Sequence, residues 1–317
     1  MPIKPGSRSF ERKPTSRCSK VAILRPIAVT LGDPAGIGPE VIQAALHSST
    51  LNKSVPFEII GKPSSKLGTP SDAGAKQAFE AMTAAAEGLK SGLYSAVVTG
   101  PIHKARMRAI GFHYPGQTEF FADRLGVANY AMCLTGGNLT VALVTVHEPL
   151  SRVPSLLRSS EIIRIAGLLE QFLRVRVGKT PRIAVAGLNP HAGESGLMGN
   201  EETDIIAPAI ERLAAESGMH GSANIYSGPW SPDTVFHRAL SGDFDGVLCM
   251  YHDQGLIPLK LHAFDSGVNV TLGLPFPRTS PDHGTAFEIA GRGVASPNSM
   301  IAAMNLASDL VRSGTSQ

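Results

Sequence analysis

The chain has 317 residues, 43% of them hydrophobic and 6% aromatic, and a formal net charge of +3. This composition supports a sizeable hydrophobic core and excludes a disordered chain. No run of about 18 apolar residues is present, so we expect no membrane-spanning helix and a cytoplasmic protein. Three widely spaced cysteines, Cys18, Cys133 and Cys249, favour a reducing compartment over a disulfide framework.

The positive charge is concentrated at the start of the chain. Residues 1–25 carry seven basic side chains and one acidic side chain, which gives +6, whereas the remainder carries −3. We therefore expect residues 1–25 to be a basic, disordered extension and residues 26–317 to form one catalytic unit of two α/β lobes. Because the folded part is slightly acidic, we expect neither a nucleic acid nor a membrane as partner.

The first predicted strand is followed by a glycine-rich turn and a helix. The string VAILRPIAVTLGD is apolar and β-branched, DPAGIGPE follows it, and VIQAALHS has the character of a helix. Gly36 and Gly38 allow a tight turn whose free backbone N–H groups could hold an anion. The third glycine of a dinucleotide fingerprint is missing, so a purely structural turn is an equally good interpretation.

Strand and helix patterns alternate along the rest of the chain. FEIIG and YSAVVTG have strand character, AGAKQAFEAMTAAAEGLKSG is typical of a helix, and Lys104 opens another helix. Gln117 and Thr118 precede an amphipathic helix, where Thr118 could be an N-cap or a ligand contact. This alternation predicts an α/β fold with a mostly parallel sheet flanked by helices.

Three histidines follow three β-branched runs. His147 comes after LTVALVTV, His191 after the strand that ends at Gly187, and His252 after DGVLCM. Parallel strands bring their carboxyl ends to one edge of a sheet, so these imidazoles could bind a divalent metal there. Zinc or cobalt suits nitrogen ligands better than magnesium does, although magnesium stays possible.

The stretch from Cys249 to Ala290 carries the densest set of reactive side chains. Asp253 and Gln254 stand beside His252 just past a strand end, and Lys260 follows eight residues later. The string VNVTLGLPFPR is predicted to place Arg278 on a second loop. A histidine, a lysine and an arginine on consecutive loops are suited to a small anion held beside a metal or a proton-transfer centre.

Together these motifs resemble the 4-hydroxythreonine-4-phosphate dehydrogenase family. The resemblance is carried by GDPAGIGPE, VTGPIHK, PGQTEFF, GLNPHAGESGLMGNEE, MYHDQGLIPLK and GVNVTLGLPFPRTSPDHGTAFEIAGRG, which span most of the chain. It implies a fold like that of the isocitrate and isopropylmalate dehydrogenases, with two lobes around a cleft and no Rossmann motif. It also implies an NAD cofactor, with NADP possible, and a homodimer whose subunits share the active site.

The resemblance also implies roles for individual residues. The metal ligands fall on His147, His191 and His252, and the substrate contacts on Thr118, Lys260, Asn269 and Arg278. Gln117 is a further predicted substrate contact, although the family usually has histidine there and an amide cannot become a cation. We nominate Lys260 or Asp253 as the general base, and Lys104 or Arg278 as the partner of a substrate phosphate.

The reaction implied is NAD-dependent, metal-assisted oxidation of 4-phosphohydroxy-L-threonine in pyridoxal 5'-phosphate biosynthesis. The resulting 2-amino-3-oxo acid would decarboxylate to 3-amino-2-oxopropyl phosphate. Gln117 leaves room for another substrate, either a phosphorylated aldonic acid or a cyclic dihydrodiol. A metal-dependent hydrolase and a non-catalytic binding protein are the more distant alternatives.

Overall fold

The structure is a computed structural model that describes residue 1 and residues 24–64, 66–219 and 225–314. The predicted basic extension falls mainly on residues 2–23, which lie outside the described residues, as does Cys18. The division of residues 26–317 into two lobes stays a prediction.

The described residues form strands and helices in the predicted alternation. The strands are β1 (Ile27–Thr30), β2 (Phe57–Ile60), β3 (Ala96–Thr99), β4 (Ala131–Gly136), β5 (Leu139–Leu143), β6 (Ile183–Ala186), β7 (Tyr226–Trp230), β8 (Gly246–Cys249), β9 (Val268–Leu272) and β10 (Arg278–Pro281). The helices are α1 (Gly38–His47), α2 (Asp72–Lys90), α3 (Lys104–Ala109), α4 (Gln117–Arg124), α5 (Val153–Leu156), α6 (Ser159–Val177), α7 (Ala207–Met219), α8 (Val235–Leu240), α9 (His252–Ala263) and α10 (Asn298–Gly314).

The strands build one sheet in the order β2-β1-β3-β10-β9-β4-β5-β8-β6-β7. The pairs at both ends of this order are parallel, and three antiparallel pairs in the middle, β10/β9, β9/β4 and β4/β5, join them. The predicted α/β fold with a mostly parallel sheet is therefore confirmed.

Helices cover both faces of the sheet. In β1, Ile27 and Val29 pack into one apolar cluster with α1 and α6, whereas Ala28 packs into another with α2 and α4. In β8, Leu248 and Cys249 likewise enter clusters on opposite faces. Both faces of these strands are buried, which explains why the strands read as continuous apolar runs in the sequence. Cys249 is a free thiol buried in β8.

Three neighbouring parallel strands define one edge of the sheet. β8 lies between β5 and β6 and is parallel to both, so their carboxyl ends point the same way. His147 follows β5, His252 opens α9 directly after β8, and His191 follows β6. No helix among the described residues is both long and apolar enough to cross a membrane.

Candidate functional site

A cavity of about 560 Å³, which we call the main cavity, gathers many of the residues singled out in the sequence. Its lining includes Gln117, Thr118, Asn269 and Arg278, the predicted substrate contacts other than Lys260, together with the predicted metal ligand His147. Lys104 and Arg164 add positive charge to the wall. Residues far apart in sequence thus meet around one space, which is large enough for a small phosphorylated metabolite.

Arg278 is buried at the wall of this cavity, with 3% of its surface exposed. Our prediction that it lies on a loop is wrong, because it is the first residue of β10 and pairs with β3. Its guanidinium donates hydrogen bonds to three threonine hydroxyls, at 2.7 Å to Thr99, 3.3 Å to Thr271 and 3.4 Å to Thr118.

The charge of Arg278 is therefore held by neutral groups. Burial lowers the pKa of Arg278 to about 10, and the charge of Glu119 opposes that shift in part. A buried charge without a hydrogen-bonded counter-ion is unfavourable, so this position suits an anionic ligand.

Four side chains at the main cavity each keep one buried polar atom without a hydrogen-bond partner among the described residues. These atoms are Gln117 Oε1, Asn269 Oδ1, Arg278 Nε and His283 Nε2. Buried polar atoms are nearly always paired in folded proteins, so a polar ligand is expected to complete them. His283 was not among the residues that we predicted for substrate binding. The polar string SPDHG directly after a strand was the signal that could have found it.

Gln117 and Thr118 lie in the first turn of α4, and the interpretation of Thr118 as an N-cap is wrong. Gly116 is the N-cap, whereas the Thr118 hydroxyl faces Thr271 Oγ1 at 3.2 Å. Gln117 Nε2 donates to Gly100 O at 3.0 Å. This bond orients the amide so that Oε1 remains the acceptor left for a ligand.

His147 and His252 form a pair, with 5.5 Å between their ring centroids. Two imidazoles bound tetrahedrally to one zinc ion, at about 2.0–2.1 Å per bond, have centroids about 5 Å apart, so the pair fits one ion. His252 Nδ1 lies 2.7 Å from Asp253 Oδ1, which leaves Nε2 free to ligate. Burial, followed by the charges of Lys104 and His252, lowers the pKa of His147.

His191 does not join this pair within one chain. It is exposed and lies in a turn over residues 190–196. Among the described residues, no group of three or more histidine, cysteine, aspartate or glutamate side chains could hold a metal ion. The three-histidine site therefore stays a prediction, and within the described part of one chain His147 and His252 lie together without His191.

Lys260 lies in the last turn of α9, so our prediction that it lies on a loop is wrong. Its Nζ forms an ion pair with Asp282 Oδ2 at 2.7 Å. Both residues line a second cavity of about 230 Å³, together with Phe264 and Asp265. His283 lines both cavities, so the second cavity adjoins the main one.

Helix α9 exposes an apolar stripe on the side opposite its buried residues. Ile257, Leu261 and Phe264 are 65%, 88% and 76% exposed, and they follow one another at helical spacing. Contiguous exposed apolar side chains of this size mark interaction surfaces. His252 begins the same helix, so this stripe starts close to the histidine pair.

The main cavity, the buried arginine and the histidine pair are typical of an enzyme that acts on a small anionic molecule, and comparisons with known proteins place the chain among the dehydrogenases. The sequence model described as "Pyridoxal phosphate biosynthetic protein PdxA" matches residues 26–307. The chain belongs to this family of 4-hydroxythreonine-4-phosphate dehydrogenases, which act in pyridoxal phosphate biosynthesis. The resemblance noted in the sequence is confirmed.

Individual relatives agree with this assignment. 4-Hydroxythreonine-4-phosphate dehydrogenase from Methylorubrum populi is 42% identical, over 91% of this chain and 95% of its own length. The crystal structure of the enzyme from Klebsiella pneumoniae is 37% identical with a TM-score of 0.77, covering 90% of this chain and 99% of its own. Terephthalate 1,2-cis-dihydrodiol dehydrogenase from Burkholderia xenovorans is 27% identical with a TM-score of 0.63, covering 92% and 98%.

The fold is shared more widely than the sequence. Isocitrate dehydrogenase from Methylococcus capsulatus has a TM-score of 0.50 at 16% identity, covering 91% of this chain and 88% of its own. This likeness shows the fold alone, and it agrees with the predicted resemblance to that class of dehydrogenases.

Proposed function

We propose that the chain oxidises 4-phosphohydroxy-L-threonine with NAD and a divalent metal ion. The 2-amino-3-oxo acid formed would lose CO2 to give 3-amino-2-oxopropyl phosphate. The observation that carries this proposal is the buried Arg278 guanidinium, held by neutral hydroxyls at the wall of the main cavity. A doubly charged phosphate would pair with this buried guanidinium through charge-assisted hydrogen bonds.

The residues around Arg278 can hold the rest of such a substrate. Lys104 lines the same cavity and supplies a second positive charge for the phosphate. The free Gln117 Oε1 and Asn269 Oδ1 atoms are acceptors, which suits the ammonium and hydroxyl donors of an amino alcohol.

The predicted metal ion would be held by His147 and His252, whose spacing fits one ion. When a metal ion and NAD are bound, the metal would polarise the substrate hydroxyl and the nicotinamide would accept the hydride. Zinc or cobalt suits these nitrogen donors, and we propose His191 of a second copy as the third ligand.

We assign different roles to the two candidates for the general base. The Asp253 carboxylate contacts His252 Nδ1, so it orients that ring and fixes its tautomer. With Asp253 engaged in this way, Lys260 is the remaining candidate for moving the hydroxyl proton. Its Nζ is ion-paired with Asp282 in the second cavity, which adjoins the main one at His283. The wall of this second cavity combines apolar side chains with the carboxylates of Asp265 and Asp282. We propose that it receives a nucleoside part of the dinucleotide, whose ribose hydroxyls can donate to these carboxylates.

We propose that the active unit is a homodimer formed over the exposed stripe of α9. A second copy would cover Ile257, Leu261 and Phe264, which are otherwise apolar groups in water. It would also bring a further histidine to the pair at the start of the helix.

We propose the cytoplasm, a reducing compartment, as the location of the protein, because Cys133 and Cys249 are free and buried.

The deciding experiment is NADH formation from 4-phosphohydroxy-L-threonine, measured with NAD or NADP and with or without chelator and added zinc or cobalt. We expect NAD-dependent turnover that chelator abolishes and metal restores. The likeness to a dihydrodiol dehydrogenase makes a cyclic dihydrodiol the second candidate substrate, tested beside an aldonate phosphate. Turnover of either, with none of 4-phosphohydroxy-L-threonine, would refute the proposed substrate.

A further inference from the structure

The turn that carries His191 has an unusual backbone. His191, Ala192, Glu194 and Ser195 all have positive φ, at 52°, 52°, 44° and 60°, and Gly193 between them has 77°. Residues other than glycine rarely adopt this left-handed region, and a run of four is unfavourable without external support. We call residues 190–196 the His191 turn. Contacts with residues outside this turn must therefore stabilise its backbone conformation.

Glu202 provides that support from within the protein. It is 4% exposed, and its Oε1 accepts hydrogen bonds from the backbone N–H groups of Leu188 at 2.6 Å and Asn189 at 2.7 Å. Its Oε2 accepts a third from Asn189 Nδ2 at 3.0 Å. The three donors belong to the two residues that lead directly into the His191 turn.

The turn is also shaped to fit this carboxylate. A Cβ at Gly193 would lie 2.6 Å from Glu202 Oε2, so glycine is needed there for space as well as for its φ of 77°. The start of the segment is tied to α9, because Gln254 Nε2 donates to Gly187 O at 2.7 Å. The turn is thus linked to the helix that begins with His252.

We propose that Glu202 is a positioning residue, which holds the His191 turn in its left-handed conformation so that His191 is presented for metal binding. This rests on the proposed function, in which His191 is a ligand. A carboxylate is required because all three groups that face it are N–H donors. A glutamine would turn its own NH2 group toward a donor and lose at least one of these bonds.

The test compares Glu202→Gln with Glu201→Gln. Glu201 is the matched control, because its Oε2 accepts only from the Asn189 side chain, at 2.7 Å, and from no backbone N–H that leads into the turn. We expect Glu202→Gln to weaken Co²⁺ binding, followed by visible absorption, about tenfold or more. Hydrogen exchange at the amides of Leu188 and Asn189 should accelerate in the same variant. Glu201→Gln should change both by less than about twofold.

A third variant separates this proposal from the function on which it rests. If His191→Ala leaves Co²⁺ affinity unchanged, the assignment of His191 as a ligand fails. If His191→Ala weakens binding but Glu202→Gln does not, only the role of Glu202 is overturned. Should Glu202→Gln fail to fold by circular dichroism, Gly193→Ala tests the same contact with the carboxylate retained. Unchanged Co²⁺ affinity in Gly193→Ala would then overturn the proposal.

Discussion

Arg278 Nη2 donates a 2.7 Å hydrogen bond to Thr99 Oγ1, from strand β10 to the parallel strand β3, and both residues are buried. A cation is thereby held by a neutral hydroxyl. Burial lowers the pKa of Arg278 to about 10, which shows that the charged form is disfavoured there. The three threonine hydroxyls satisfy hydrogen bonds of Arg278 but leave its charge without a counter-ion, which an anionic substrate would supply.

Replacing Arg278 by methionine should impair substrate binding without impairing the fold. We expect KM for the phosphorylated substrate to rise at least about 100-fold, since a charge-assisted contact is lost. The midpoint of thermal unfolding should stay unchanged or rise, because an uncompensated buried charge is removed.

Arg164→Met is the control for Arg278→Met. Arg164 lines the same cavity but is already paired with Glu161, at 2.7 Å. Its replacement should change KM by no more than a few fold. An Arg278→Met enzyme with normal KM and a strongly lowered unfolding temperature would show that Arg278 is structural.

Asp253→Asn should weaken metal binding rather than remove the general base. Asp253 Oδ1 lies 2.7 Å from His252 Nδ1, and loss of such a partner lowers metal affinity about 10-fold to 100-fold. With saturating metal, kcat should recover to within a few fold of the unaltered enzyme. Metal titration followed by NADH formation measures both quantities. Normal metal affinity with kcat lowered at every metal concentration would instead indicate that Asp253 is the base.

Asp245→Asn should lower stability at neutral pH and lose that effect in acid. Burial raises the pKa of Asp245, but hydrogen bonds from Arg182 and the charges of Arg182 and Lys179 outweigh burial and hold the pKa below its usual value. Its folded pKa is therefore below the unfolded one, so its contribution is complete above the unfolded pKa, about 3.9, and is lost as pH falls further. Urea unfolding should show a loss of about 1–2 kcal/mol at pH 7.

The matched control for Asp245→Asn is Asp243→Asn. Asp243 pairs with Arg238 at 2.8 Å, but its side chain is 46% exposed, so its removal should change stability by less than about 1 kcal/mol. Equal losses in the two variants, or a loss in Asp245→Asn that stays the same size as the pH is lowered from 7 to well below about 3.9, would contradict the pKa argument.

The sequence predicted most of the strands, though not β4, β7 and β10, and the approximate place of the site, but not how its side chains are engaged. His147 and His252 could be brought together from strand order, because β-branched runs identify β5 and β8 and parallel strands share an edge. Arg278 was placed on a loop because Pro-Phe-Pro breaks the strand pattern, and only its pairing with Val97 in β3 makes it a strand residue. The Lys260–Asp282 ion pair and the left-handed His191 turn depend on tertiary contacts, which local pattern does not encode.

Mixing two inactive variants should restore activity if a second copy completes the site. His147 and His252 lie 5.5 Å apart in one chain, whereas no three-residue metal group forms among the described residues, so His147→Ala and His191→Ala should each be inactive. In a heterodimer of the two variants, one site would combine an intact His147 and His252 with the partner's intact His191. The other site would lack both His147 and His191. Random pairing makes half of the dimers heterodimers with one working site, so co-expression should give about a quarter of normal activity. No recovery, with heterodimers demonstrated by differential tagging, would place all ligands within one chain and exclude the shared site.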